Sequence, residues 1–364
     1  MTTQEAWTPQ WATHPGEHLE EYIQERGWSQ AEFARIADMT PKLVSTIING
    51  SNPVTPETAL KLEHVLGLKA YIWTGLQANW DLFQARLREQ EAAVREAEWL
   101  KGFPIRELKA CGRLPQTNDL GRIMDGLLSL LGIGGPHAYE AKLGSLAVHH
   151  RKARTGTTSP HHMLCWLMLG EEKARRLSLP AYDPGRFKQG CAEIRSLTVA
   201  RPETFEPRML EICHASGVAL VFQKPLSKTC VFGSARWLND ERPLIQMSLR
   251  MKSNDHFWWT FFHEAAHISL HRGMNFVDDK NGEDNDVEAE ADAWAEEMLV
   301  GRERIDAFAT TCPRTKQEVV AFADEVGLHP GIVLGMLQHR RVVPFSHMND
   351  LKARLGWADE VAAA

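Results

Sequence analysis

The sequence predicts a mainly α-helical chain with a small β-sheet, an α+β protein headed by an all-α helix-turn-helix bundle. Three observations carry this prediction. Residues 16–75 contain four short, well-capped helical segments, three β-branched or aromatic runs lie between Gly217 and Arg250, and helical periodicity returns from Asn254 to the end.

In the first bundle, Gly16 to Arg26 carries Leu19, Tyr22 and Ile23 at helical spacing, and Gly27 stops it. The run SQAEFARIA opens on Ser29 with Glu32 three residues later, a pair that can satisfy each other's free backbone N–H. TPKLVSTIING offers Thr40 as N-cap, Pro41 at the first helical position and Gly50 as terminator, and TPETALKLEHVLGL repeats the Thr-Pro start. From about Gln77 to Leu100 a long, charged, helical pattern suits a connecting helix. A mostly helical stretch follows to about residue 200, interrupted by a polar loop between His149 and Met163. GVALVFQ, TCVFGSARWL and PLIQMSLR then read as three strands. The expected domains are 1–80, a helical middle region 81–200, and a C-terminal domain 201–364.

Composition fits a soluble globular protein with a sizeable core: 43% of residues are hydrophobic, 24% are charged, and there are twelve tryptophans. A net charge of -6 gives no global pull toward nucleic acid or membrane, so any DNA contact must come from a local patch. The six cysteines are scattered, without a C-x-x-C pair, which argues against a disulfide framework and for a reducing compartment. The N-terminus has no signal-like n- and h-regions, and no apolar run approaches the roughly 18 residues needed to span a bilayer. A cytoplasmic protein without a membrane segment is expected.

The chemistry concentrates in FFHEAAHISLH. Residues four apart share a helix face, so His263 and His267 can direct both imidazoles at one ion. A catalytic zinc requires a third protein ligand, with the fourth position left to water. The helical run DVEAEADAWAEEML supplies two competitors, Glu288 and Glu290. Glu288 is preferred because Asp292 follows one turn later, where it can take the free N–H of a ligating histidine; Glu290 lacks such a companion in the sequence. Glu264 is placed to act as general base. His271, one further turn along, can line the cleft or support the site from beneath, and the strands upstream could pair with a peptide by edge addition.

The run from SGVALVFQ through RPLIQMSLRMKSNDHFWWTFFHEAAHISLH to EAEADAWAEEML resembles the ImmA/IrrE family of zinc metallo-endopeptidases. The segments HPGEHLEEYI, WSQAEFARIADMTPKLVSTIING and PVTPETALKLEHVLG resemble the HigA-type antitoxin branch of the Cro/C1 helix-turn-helix family, and FPIRELKACG is similar to the section joining the halves in fused HigA-IrrE proteins. The first resemblance implies a gluzincin-like domain with one Zn2+ per chain on His263, His267 and Glu288, and Glu264 as base. It also implies a protein substrate, a repressor or toxin–antitoxin component, cut in a stress, mobile-element or defence response. The second resemblance implies operator DNA as a partner and a homodimer, with Gln30, Thr40, Lys42, Ser45 and Thr46 as candidate DNA contacts.

Charge cuts across that second expectation. In residues 1–86 six Lys and Arg stand against ten Asp and Glu, a net of -4, so little affinity can come from phosphate neutralisation. A partner-binding module is the alternative for this domain. For the whole chain, the alternative is a HigA-like antitoxin and repressor whose metal domain senses or scaffolds without cutting. Near the C-terminus, VVAFADEVGLHPGIVLGMLQHRRVVP reads as helix, Gly turn and helix with Arg340 and Arg341 behind it, a hairpin closing the C-terminal domain.

Overall fold

Helix starts in the first unit follow the caps that the sequence supplies. In a computed structural model of the chain, which describes residues 11–145, 158–274 and 285–357, α1 spans Pro15–Glu25, α2 Gln30–Ile36, α3 Pro41–Ile48, α4 Pro56–Leu66 and α5 Ala70–Arg95. Ser29 and Glu32 form the reciprocal capping box at α2, Thr40 caps α3 through Leu43 N, and Thr55 caps α4 through Thr58 N. The start of α1 is less conventional: its N-cap is His14, whose Nδ1 accepts from Gly16 N at 2.9 Å while Glu17 reaches back to His14 N.

These helices bury Leu19, Phe33, Ala34, Val44, Ile47, Leu62 and Trp73 completely. Each large apolar side chain removed from water contributes about 1.5–3 kcal/mol, before the entropy of ordering it is counted. Gln77 is buried among them with His14 and Thr58, and its amide is satisfied: Oε1 accepts from Val54 N at 2.9 Å and Nε2 donates to Asp81. The connecting helix therefore begins at Ala70, seven residues before the start read from the sequence.

The chain divides into two compact units, residues 1–97 with 117–124, and residues 98–116 with 125–364. Much of the polar loop expected between His149 and Met163, residues 149–157, lies outside the described residues. In the second unit the three expected strands form: β1 Ala219–Phe222, β2 Gly233–Trp237 and β3 Pro243–Met247. Their spatial order is β1-β3-β2, with β1 parallel to β3 and β2 antiparallel to it. β2 is therefore an edge strand.

Alternation along the strands assigns two buried faces. Leu220, Ala235, Ile245 and Met247 join the main core with Phe261, Phe262 and Ile268 of the HEAAH helix, Asn254–Leu270. Ala219, Val221 and Leu244 pack instead with Ala174 of the Pro160–Arg175 helix on the opposite face. That second face also buries Arg236, which donates to Leu167 O at 3.0 Å, Glu171 Oε2 at 3.3 Å and Gln246 Oε1 at 3.3 Å. Burial lowers its pKa to about 10 against the opposing pull of Glu171.

Helices Lys316–Val326 and Pro330–His339, bent by 112°, form the expected C-terminal hairpin, and the second of them packs on the HEAAH helix. Among the described residues no single helix is long and apolar enough to cross a membrane.

Candidate metal centre

The HEAAH helix is apolar around most of its circumference. Phe257, Trp258, Phe261, Phe262, Ala265, Ala266 and Ile268 are all buried, which makes it a core helix and carries its polar residues into the interior. His263, Glu264 and His267 are thus withdrawn from water, 3, 3 and 1% exposed. Groups of this kind are stable inside only if each finds a charge or hydrogen-bond partner.

The partners come from the helix Asn285–Leu299 packed alongside. Glu288 Oε2 lies 3.2 Å from His263 Nε2, Glu288 Oε1 lies 3.4 Å from His267 Nε2, and the two Nε2 atoms are 3.1 Å apart. Asp292 Oδ1 stands 2.9 Å from His263 Nδ1. The structure thus brings together His263, His267 and Glu288, with Asp292 behind the first histidine. Glu290 is turned elsewhere: its Oε2 meets His271 Nε2 at 3.2 Å, and His271 Nδ1 meets His267 Nδ1 at 3.1 Å. The companion that the sequence did not reveal for Glu290 is therefore His271.

Whether these residues suit a zinc ion can be tested on their own chemistry. A carboxylate can only accept, so Asp292 requires a proton on His263 Nδ1 and leaves the Nε2 lone pair facing Glu288 and His267. Glu288 Oε2 is buried without a hydrogen-bond donor among the described residues. Converging lone pairs and an anionic oxygen suit a cation. Without a metal a proton takes that place: burial by itself would lower the His263 pKa, but the carboxylates of Asp292 and Glu288 outweigh it and push it to about 10, so a bound metal has to displace that proton. The three separations are also close to the edge of a ligand tetrahedron, about 3.4 Å for bonds of about 2.1 Å. The donor set fits zinc.

Glu264 follows His263 directly and faces β2. A methyl group at Gly233 would come within 2.8 Å of Glu264 Oε1, so the strand reaches the carboxylate only because that position has no side chain.

In the first unit the candidate DNA contacts divide by availability. Gln30, Thr40 and Lys42 are exposed, whereas Ser45 and Thr46 are half-buried. Thr40 Oγ1 is engaged as the α3 cap, Thr46 Oγ1 donates to Leu43 O and receives Asn52 Nδ2, and Ser45 Oγ receives Asn49 Nδ2 at 3.4 Å. Lys61 and Lys69 are paired with Asp38 and Glu63. Arg35, exposed in the last turn of α2, is a cation that the sequence reading passed over. Its signal was its place on the polar face of a short helix.

Comparison with known proteins bears on this first unit. The helix-turn-helix family model (HTH_3) matches residues 19–73. The chain is 37% identical over 71 residues to the protein named uncharacterized HTH-type transcriptional regulator YddM of Escherichia coli K12, covering 20% of this chain and 76% of that one. It is 34% identical over 84 residues to virulence-associated protein I of Dichelobacter nodosus, covering 23% and 78%. Among solved structures, an addiction module antidote protein of a HigA family from Coxiella burnetii is 29% identical, covering 23% of this chain and 92% of that one with a TM-score of 0.22. Through its first unit, the chain belongs to the helix-turn-helix family.

Proposed function

We propose that this chain is a zinc-dependent endopeptidase of the gluzincin kind, resembling the ImmA/IrrE family, joined to a helix-turn-helix module that binds operator DNA. The observation supporting the enzyme is the convergence of His263, His267 and Glu288 beside a buried Glu264. The chemistry a bound zinc supplies is Lewis acidity toward a peptide carbonyl and a water molecule. His263 and His267 would hold it through Nε2 and Glu288 through its carboxylate, with Asp292 fixing the His263 ring. Glu264 takes the proton of the attacking water and hands it to the leaving nitrogen. β2 passes Glu264 at Gly233, but all five of its residues are buried, so the peptide pairing by edge addition expected from the sequence finds this strand withdrawn from water.

The expected result is one zinc per chain, lost in His263→Ala and kept in Glu264→Gln, with cleavage of a protein substrate abolished in both. A Glu264→Gln protein that cuts at the wild-type rate would rule out the base assigned here. The substrate class inferred is a repressor or a toxin–antitoxin component.

For the module, the name of the YddM relative as a transcriptional regulator supports DNA as the partner. Exposed Gln30, Arg35 and Lys42 are the groups available to touch it, and a homodimer would double them. A mobility shift titrated against salt should lose affinity steeply; no shift at low salt would leave a protein-binding module. A second reading is a HigA-like antitoxin and repressor whose metal centre senses rather than cuts; that relative's name, a transcriptional regulator, supports its regulatory half alone. Zinc binding without proteolysis in wild type would favour it.

A further inference from the structure

Two arms lie behind the proposed zinc ligands, and only one of them, Asp292 on His263, has the usual form of a carboxylate on an imidazole. The other runs through a third histidine. We infer that His271 and Glu290 are positioning residues which set the tautomer of His267, so that its Nε2 presents a lone pair to the metal; this rests on the zinc reading above.

Glu290 Oε2 is a carboxylate oxygen 3.2 Å from His271 Nε2, so that nitrogen carries the proton. In that tautomer the His271 lone pair lies on Nδ1. Its neighbour at 3.1 Å is His267 Nδ1, which must donate, and the His267 proton is thereby held on the side away from Glu288 and His263. Placement supports the relay: His267 is almost wholly buried and His271 is 8% exposed, whereas the Glu290 side chain is 65% exposed. The inner link is therefore shielded and the outer one screened by water, so the histidine should matter more than the glutamate. His271 also ends the HEAAH helix, with its N–H on His267 O, which anchors its ring beneath the site.

The test uses the full chain, with zinc itself as probe, titrated in competition with a chromophoric chelator. Removing a partner behind a metal ligand typically weakens affinity 10- to 100-fold. His271→Phe, which keeps a ring but no nitrogen, should weaken zinc binding about 10-fold, and His271→Gln, which restores an acceptor, should recover part of that loss. Glu290→Ala should cost only about 3-fold, with Glu290→Gln close to wild type; because Glu290 is exposed, its variants fold whether or not His271→Phe does. In parallel, nitrogen-15 spectra of histidine-labelled, metal-free protein should show His267 protonated on Nδ1 in wild type, with that preference weakened in His271→Phe. Unchanged zinc affinity across the set, or a His267 protonated on Nε2, overturns the relay. A wild-type chain that takes up no zinc overturns the metal-centre reading instead, and the spectra then still decide the tautomer.

Discussion

Two helices in this molecule, one in each unit, begin with the same tripeptide. His14-Pro15-Gly16 opens α1 and His329-Pro330-Gly331 opens the second helix of the C-terminal hairpin. In both, the histidine Nδ1 accepts from the glycine N–H, at 2.9 and 3.1 Å, and the proline occupies the first turn, where its missing N–H costs nothing. The surroundings differ. At His14 the acids Glu17 and Asp81 stand nearby, and Gly16 lies against the backbone of α3. His329 Nδ1 instead also receives Asn254 Nδ2 at 2.8 Å, and Gly331 sits against the first residue of the HEAAH helix. One local device starts both helices; the packing around it decides what depends on it.

The largest test of that contrast is at the glycines. A methyl at Gly16 would lie 2.1 Å from Ile47 O and 2.8 Å from Ile48 Cα, so Gly16→Ala forces α1 off α3 and should destabilise the first unit by about 3 kcal/mol. At Gly331 the nearest atoms are Asn254 Oδ1 at 2.8 Å, on a side chain that can turn, then Leu351 O at 2.9 Å, and about 1–2 kcal/mol is expected. Denaturant unfolding followed by circular dichroism ranks the two; a costlier Gly331→Ala would break the comparison. Zinc uptake sharpens it, since Gly331→Ala should weaken binding through the HEAAH helix whereas Gly16→Ala should leave it intact.

Replacing the caps is the next step down. His14→Ala and His329→Ala each remove one helix-start acceptor, worth about 1 kcal/mol, and the second also strands the Asn254 amide. Equal losses at the two sites would show that the Asn254 contact adds nothing.

The smallest effect is one of pH. Burial lowers the pKa of both histidines below the ordinary 6.5, opposed at His14 by Glu17 and Asp81. Only the neutral ring can accept, and the unfolded chain takes up the proton first. The stability is therefore fully present above about pH 6.5 and drains away as pH falls through the folded-state values. His14→Asn, a cap that does not titrate, should flatten part of this decline in unfolding free energies measured between pH 7.5 and 5.5.

Three helix starts of the first unit were legible in the sequence because the capping partners are near neighbours: Ser29 with Glu32, Thr40 and Thr55 with the backbone three residues on. Glu288 with Asp292 was legible for the same reason, as residues one turn apart on one helix. What escaped depends on residues distant in sequence or on packing. The start of α5 is held by Glu63, whose Oε2 accepts from Ala70 N at 2.6 Å from the end of the preceding helix, so no local cap announced it. His14 escaped because histidine is not a usual N-cap. The strand order, with β3 between β1 and β2, is set by tertiary pairing, and Glu290 reaches His271 only through the angle at which two helices meet.

Arg236 gives the sheet a consequence for how the chain reaches its native state. Along β2, Ala235 and Trp237 turn to the same core as the HEAAH helix and Gly233 to Glu264, whereas Arg236 turns to Glu171 on the opposite layer. A slip of one residue would exchange these faces, thrusting a guanidinium among Phe261 and Phe262 and bringing a side chain against the Glu264 carboxylate. An isolated charge in such surroundings costs several kcal/mol. The buried arginine thus acts as a key cut for one lock, and a misthreaded sheet is rejected by the same residue pattern that leaves room for the Glu264 carboxylate.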